Sequence, residues 1–151
     1  MAVPLASQRV IRVLIVDDEP LFRLGLAAVV ADDERLEFIV SEAGDGEAGL
    51  ARIAIEEPEV VLLDLNMPRL AGHAVLRLVK QRWPQIRVIV LTGSDSTEER
   101  RRTERAGVDA FVQKRDAKTQ LPALVASLTS SKAPKKGRQV LRARLVRLAR
   151  R

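Results

Sequence analysis

The chain has 151 residues and no cysteine, and its net charge of +6 at pH 7 arises from residues 132–151, which hold nine basic residues and no acid, while residues 1–131 carry −3. This length suits one domain with a sizeable core, and the lack of cysteine excludes disulfides, thiolate catalysis and zinc–thiolate sites. No apolar run approaches the ~20 residues that span a bilayer and no secretory signal opens the chain, so we expect a soluble cytoplasmic protein.

Strands and helices alternate along residues 1–131. Apolar and β-branched runs predict strands over 9–16, 38–43, 60–64, 86–92 and 109–114. Helical patterns bounded by Pro, Gly and polar residues follow them, over 21–33, 46–57, 73–83, 96–107 and about 119–128. Strands that are continuous apolar runs are typical of a parallel sheet covered on both faces. We therefore predict an α/β fold with an open, doubly wound (βα)5 sheet.

Polar residues stand where four of these strands end. Asp17 and Asp18 end the first strand, Asp64 the third, Thr92 the fourth and Lys114 the fifth. In open α/β sheets ligands bind at the carboxyl ends of the strands, so these side chains should meet at one edge. Three carboxylates there repel one another more than one lysine can offset, whereas Mg²⁺ prefers oxygen ligands and often bridges carboxylates to a phosphate. The pattern indicates a metal-assisted phosphoryl site.

Four stretches, VLIVDDEP, VVLLDLNMP, VIVLTGS and DAFVQK, occur in this order and at these separations. Together they resemble the receiver domain of bacterial two-component response regulators, and the resemblance covers about residues 9–130. It implies the flavodoxin-like strand order 2-1-3-4-5 and a signalling switch rather than an enzyme. The partner it implies is a histidine kinase or phosphotransfer protein, or a small phosphodonor in its place.

The resemblance also assigns roles to individual residues. It implies that Asp64 accepts the phosphoryl group, that Asp18 and Asp64 give carboxylate oxygens to Mg²⁺, that the backbone carbonyl of Asn66 is a third ligand, and that Asp17 acts mainly through water. Lys114 would contact another phosphoryl oxygen, which fits phosphoryl transfer because that reaction depends mainly on positioning and charge stabilisation.

A switch residue pair is implied as well. The hydroxyl of Thr92 would bond the new phosphoryl group, and the aromatic ring of Phe111 would rotate into the space that this movement leaves. The event would change a surface formed by the fourth helix, fifth strand and fifth helix. A homodimer built through a hydrophobic version of that surface conflicts with the many charges over 96–107.

Two positions depart from the family pattern. Arg115 follows Lys114 where the family usually has proline, so the loop after the fifth strand is expected to differ. Gly93 replaces the common small alanine after Thr92, which should leave access to the phosphoryl site open and loosen the loop.

Two rival functions fit parts of the sequence. Residues 44–49 match G-x-G-x-x-G, and Asp64 follows at about the distance of a ribose-binding acid. Asp45 and Glu47 would, however, face the pyrophosphate of a dinucleotide, and the motif follows the second strand rather than the first. An aspartyl-phosphate hydrolase needs a second Asp where Asn66 stands, so we expect only slow self-dephosphorylation.

The basic tail over 132–151 leaves several functions open. Lys, Pro and Gly up to residue 137 indicate a linker, and the leucines that follow share a moderately amphipathic helical stripe. The tail is too short for a helix-turn-helix domain, so the chain is interpreted as a stand-alone receiver or one without its output domain. Nucleic acid, an acidic partner, an anionic membrane surface, or a merely solubilising end are the alternatives. His73, the single histidine, is expected to be solvated and without a role.

Overall fold

The computed structural model describes residues 9–33 and 36–130. The predicted tail over 132–151 lies outside them. Five strands are present in these ranges: β1 Val10–Val16, β2 Glu37–Ala43, β3 Val60–Asp64, β4 Arg87–Thr92 and β5 Ala110–Gln113. Five α-helices alternate with them: α1 Pro20–Val30, α2 Gly46–Glu56, α3 Gly72–Arg82, α4 Thr97–Arg105 and α5 Ala117–Ser130.

The strands form one parallel sheet in the order β2-β1-β3-β4-β5. This confirms the predicted α/β class and strand order. Val16 of β1 pairs with Leu63 of β3, so the residues that follow them, Asp17 and Asp64, leave the sheet side by side. The order of the strands changes direction between β1 and β3, and this is where ligands bind in folds of this type.

The sheet separates two apolar layers. On one face, α1 and α5 cover alternate strand residues through Leu26, Leu121 and Leu124. On the other face, α2 and α3 do so through Ile53 and Leu76. Because successive side chains of a strand point to opposite faces, a strand covered on both sides must be apolar throughout. All five residues of β3 are buried, and this burial extends to Asp64 itself.

Two element boundaries differ from the sequence expectation. Helix α1 ends at Val30 rather than near residue 33, since acids such as Asp32 interact unfavourably with a helix C-terminus. Strand β5 ends at Gln113, and Lys114–Asp116 form a 3₁₀ turn that leads directly into α5. Lys114 therefore begins a turn rather than ending a strand.

A buried ionic cluster links the amino-terminal ends of β4 and β5. Asp109, just before β5, is 2% exposed and pairs with Lys80 of α3 and, at 3.3 Å, with Arg87 of β4. Its carboxylate also accepts a hydrogen bond from the backbone N–H of Val88, at 2.8 Å. Buried charges are tolerated when they are paired and hydrogen-bonded in this way. We call Lys80, Arg87 and Asp109 the anchor cluster.

Candidate functional site

Three of the predicted residues meet at the carboxyl edge of the sheet. The Lys114 Nζ lies 3.1 Å from Asp17 Oδ2 and 3.4 Å from Asp64 Oδ2. Asp17 is fully buried and Asp64 is 1% exposed. Lys114 also lies over the Phe22 ring of α1, with Nζ 4.6 Å from the ring centroid. One ammonium group thus faces two buried carboxylates.

Glu19 is a fourth member of this site that sequence reasoning did not identify. Its Oε1 accepts a hydrogen bond from Lys114 Nζ at 3.1 Å, and its backbone N–H donates to Asp17 Oδ1 at 2.8 Å. Glu19 is the N-cap residue of α1, a position where an acid commonly serves the helix alone. The signal that could have found it is a third consecutive acid after Asp17 and Asp18.

Asp18 and Asn66 occupy the rim of the site. Asp18 is half-buried, and carboxylate oxygens of Asp17, Asp18 and Glu19 lie within 4.8 Å of one another. Asn66 is exposed, and its backbone N–H donates to Asp64 Oδ1 at 3.0 Å. This contact uses the backbone amide of Asn66, whereas the role expected from the resemblance, a metal ligand, belongs to its backbone carbonyl and stays a prediction.

The two Oδ2 atoms are the least satisfied polar atoms of the site. Within the described residues, Asp17 Oδ2 and Asp64 Oδ2 are buried and have no hydrogen-bond donor. Both atoms lie within ion-pair distance of Lys114 Nζ, which donates a hydrogen bond to Glu19. Buried, unsatisfied carboxylate oxygens are suitable ligands for a hard divalent cation. The residues present therefore fit Mg²⁺.

The ionisation of Asp64 is strongly affected by this environment. Burial, with a smaller contribution from the nearby Asp17 charge, raises the pKa of Asp64 to about 6, although the Asn66 N–H and Lys114 act in the opposite direction. For Lys114, burial lowers the pKa, but the hydrogen bond to Glu19, the close contact with Asp17 and the charge of Asp64 outweigh burial and raise the pKa overall. At pH 7 the site thus holds a charged lysine and a mostly ionised Asp64.

The predicted switch residues contact α4. Thr92 is fully buried, and its hydroxyl donates to Glu99 Oε1 at 2.6 Å and accepts from the Ser94 N–H at 3.0 Å. Phe111 is 3% exposed, and the Arg100 guanidinium lies 5.2 Å from its ring centroid. The Thr92 hydroxyl is therefore already engaged, on the side of α4.

The loop between β4 and α4 is tied to the end of β5. Gln113 Nε2 donates to Asp95, and Arg115 forms an exposed ion pair with Asp95 at 3.6 Å. Gly93 is exposed, and a Cβ at its position would have no neighbour within 4 Å. This open space agrees with the expectation that Gly93 leaves access to the site.

The G-x-G-x-x-G stretch forms the N-terminus of α2. Asp45 is its N-cap, and its side chain accepts a hydrogen bond from the Ala48 N–H at 2.8 Å. Glu47 stands in the first turn. A pyrophosphate at this helix N-terminus would displace the Asp45 cap and face two acids.

A five-stranded parallel sheet in the order β2-β1-β3-β4-β5, with acids and one lysine at its carboxyl edge, is the arrangement of receiver domains. The chain belongs to the family described as "Response regulator receiver domain", which it matches over residues 13–126. It is 36% identical over 110 residues to the probable transcriptional regulatory protein TcrX of Mycobacterium tuberculosis, covering 72% of this chain and 45% of that protein. It is 40% identical over 93 residues to the transcriptional regulatory protein MctR of Rhizobium johnstonii, covering 58% of this chain and 41% of that protein. The matched part thus spans less than half of either relative.

Solved structures agree on the fold. The signal receiver domain of NarL from Mycobacterium tuberculosis is similar with a TM-score of 0.72 and 28% identity, covering 81% of this chain and 98% of that chain. The isolated receiver domain of RcsB from Salmonella enterica serovar Typhimurium, in the presence of phosphomimetic BeF3−, has a TM-score of 0.73 and 23% identity, covering 84% of this chain and 95% of that chain. No helix in the described part of the chain is long and apolar enough to cross a membrane.

Proposed function

We propose that this domain is a phosphorylation-dependent signalling switch in which Asp64 accepts a phosphoryl group from a histidine kinase, a phosphotransfer protein or a small phosphodonor. The observation that carries the proposal is the cluster of Asp17, Asp64 and Lys114 at the carboxyl edge of the sheet. A structural ion pair would need one carboxylate for one ammonium. Here one ammonium faces two buried carboxylates. This arrangement destabilises the fold, and such unfavourable clusters of charge are typical of functional sites.

The transfer step uses Asp64 as the nucleophile. A carboxylate oxygen of Asp64 forms a bond to phosphorus while the bond from phosphorus to the donor atom breaks, and its electron pair leaves with the donor. The product is an aspartyl phosphate. The Asn66 N–H bonded to Asp64 Oδ1 fixes the carboxylate and leaves Oδ2 without a hydrogen bond. We assign the attack to this Oδ2 atom.

Bound Mg²⁺ would supply charge neutralisation for the phosphoryl oxygens. Asp17, Asp18 and Asp64, with the backbone of Asn66, would hold it, and Glu19 adds a carboxylate at the rim. The Lys114 ammonium would leave Glu19 and bond a phosphoryl oxygen, since a fully charged acceptor competes well for a charged donor. The carboxylates of Asp17 and Asp64 are almost completely buried, so little water contacts them.

The switch would transmit the change through Thr92. To bond the phosphoryl group, its hydroxyl must leave Glu99 Oε1. Glu99 is in the first turn of α4, and Arg100 beside it covers Phe111. Breaking the bond between Thr92 and Glu99 therefore frees α4 to move relative to Phe111. The surface of α4, β5 and α5 is the proposed output, consistent with the family.

The direct test is labelling with acetyl phosphate and Mg²⁺. The wild-type chain should form an acid-stable, base-labile adduct, and Asp64→Asn should form none. Asp32→Asn, an exposed acid distant from the site, serves as a folded control and should be labelled as the wild type is. An adduct on Asp64→Asn would mean that another residue is the phosphoacceptor. Omission of Mg²⁺ should slow labelling strongly.

Regulation of transcription is the second candidate. Two relatives are named transcriptional regulatory proteins, and the basic residues of 132–151 offer charge that could contact nucleic acid. In this form of the proposal the domain acts in the cytoplasm, and phosphorylation controls association with nucleic acid or with a second copy of the chain. The domain itself would catalyse no more than slow loss of its own phosphoryl group.

A further inference from the structure

A basic groove lies between α3 and α4, away from the acidic site. It encloses about 330 Å³ and is lined by His73, Arg77, Arg102, Arg105 and Ala106. His73 and Arg77 are four residues apart on α3, and Arg102 and Arg105 are three apart on α4. These spacings place each pair on one side of its helix. Two helices thus present basic side chains to the same space.

The three arginines of this groove lack acidic partners in residues 9–33 and 36–130, where no ion pair reaches them. Two acids of α4 have other partners, since Glu104 pairs with Arg100 at 3.5 Å and Glu99 accepts from Thr92, while Glu98 lines the adjoining cavity without an ion pair among the described residues. Arginine stays charged at all physiological pH values. The groove therefore collects positive charge that the fold does not balance.

His73 adds a polar group to the same groove. It is half-buried, and within the described residues its Nδ1 is buried without a hydrogen-bond partner. The expectation of a solvated histidine is therefore wrong. Its ring also lines a smaller adjoining cavity of about 220 Å³, together with Glu98, Glu99 and Arg102. These acids would confine an anion to the arginine side of the groove.

We propose that the groove formed by His73, Arg77, Arg102 and Arg105 binds a small anion that carries two or more charges on phosphate groups. Its volume lies in the range of small-molecule sites, roughly 300–1,000 Å³. The planar guanidinium group matches the oxygen pairs of phosphate and can bond them bidentately. Three such groups suit a multiply charged ligand better than a single carboxylate. The groove shares no lining residue with the Asp17, Asp64 and Lys114 cluster.

The single histidine of the chain provides a local reporter of binding. Burial and the charges of Arg102 and Arg77 lower the pKa of His73, while Glu99 acts in the opposite direction. Glu98 and Arg105 are the other charged groups that line the two cavities. An anion among these arginines would offset their effect, so it should raise the pKa of His73.

The experiment is a titration of the full chain with inorganic pyrophosphate, without Mg²⁺, followed by the imidazole NMR signals of His73. We expect a saturable change in these signals and a higher His73 pKa in the bound form. Sodium chloride at matched ionic strength should give neither. A response that does not saturate, or one that chloride reproduces, would overturn the proposal, and so would equally tight binding of citrate, which carries carboxylates instead of phosphates.

Matched variants locate the ligand. Arg77→Gln and Arg102→Gln should each weaken pyrophosphate binding about tenfold or more, since each removes a charged hydrogen-bonding group. Arg101→Gln removes the same charge from an exposed neighbouring position that does not line the groove, and it should leave the affinity within about twofold. An equal loss in Arg101→Gln would show attraction by overall charge and would refute a defined site. Asp64→Asn should bind as the wild type does, which separates this site from the phosphoacceptor site.

Discussion

Asp64 is nearly fully buried, and its environment makes its charge costly. Its pKa is about 6 in the fold, against 3.8 for an ordinary Asp, so ionisation of this group destabilises the native state. Below pH 3.8 the Asp64 carboxyl is mostly neutral in both states and does not reduce the free energy of unfolding. That free energy falls as the pH rises from 3.8 to about 6, where the folded carboxyl ionises. We expect Asp64→Asn to raise the free energy of unfolding of the Mg²⁺-free protein at pH 7, by at most about 3 kcal/mol.

Chemical denaturation at several pH values would measure this effect. The advantage of Asp64→Asn should be small near pH 4, grow towards pH 6 and stay constant above pH 7. Samples near pH 3 are the internal control, because the wild-type carboxyl is then mostly neutral in both the folded and the unfolded state. A variant that is no more stable than the wild type at pH 7 would show that Lys114 compensates the Asp64 charge completely.

Glu99 competes for the Thr92 hydroxyl. Because their bond must break before Thr92 can contact a phosphoryl group on Asp64, Glu99→Ala should favour the phosphorylated form. Hydrogen bonds to charged groups contribute about 1.5–3 kcal/mol, so the labelled fraction at limiting acetyl phosphate should rise by about tenfold or more. Glu98→Ala removes an exposed acid from the same helical turn and controls for the helix dipole. Equal labelling of both variants would exclude Glu99 as a restraint on Thr92.

The sequence predicts site residues correctly where the backbone fold alone determines their positions. The meeting of Asp17, Asp64 and Lys114 follows from strand ends at one edge of a parallel sheet. Glu19 and Glu99 were missed because their contacts depend on how the first turns of α1 and α4 are oriented and on side-chain rotamers. No periodicity in the sequence encodes those orientations. Hydrophobic patterns fix which face is buried, but they do not fix which polar atoms meet at an edge.

Among the elements, α3 approaches β3 unusually closely at Gly72. A Cβ at this position would lie 2.5 Å from Leu65 Cα and would also clash with the Asp64 carbonyl oxygen. Both neighbours are backbone atoms, which cannot rotate away. We expect Gly72→Ala to destabilise the domain by about 1–3 kcal/mol, as overpacking does, and to reduce labelling of Asp64 because it displaces the end of β3.

Gly25→Ala provides the matched comparison. Gly25 is in α1, and an added Cβ there meets nothing within 4 Å. Alanine at an exposed helix position should stabilise the fold by about 0.5–1 kcal/mol and leave labelling unchanged. Thermal unfolding of both variants would measure the difference. A Gly72→Ala protein as stable as the wild type would mean that α3 can move away from β3 at little cost.

The sequence predicts which segments form strands, but it predicts less well the residues at which the strands end. Buried, β-branched runs such as β3 and β4 leave few alternatives to a central parallel strand. The boundary between β5 and α5 was not predicted, because the 3₁₀ turn over Lys114–Asp116 has no sequence marker once proline is absent after Lys114. Where the family has proline, a local rule defines the turn. Here tertiary contacts define it, including the ion pair of Arg115 with Asp95.

At the scale of the whole molecule, charge is distributed unevenly between residues 1–131 and 132–151. If the basic residues of 132–151 contact phosphates, the full chain should bind double-stranded DNA with an affinity that falls steeply with salt. A version that ends at residue 130 should lose this binding. Gel-shift titrations at two salt concentrations would compare them, and equal affinity of the two versions would exclude the tail as the DNA-binding segment.

The anchor cluster has a consequence for how this protein can deform. Lys80, Arg87 and Asp109 fix the starting ends of β4 and β5, whereas their finishing ends are joined by exposed contacts around Asp95. Strands held firmly at one end and weakly at the other behave as a hinge, so rearrangement should be confined to the half of the sheet that bears Thr92. Amide hydrogen exchange would then be slowest near Val88 and progressively faster towards Gly93, a gradient along a single strand.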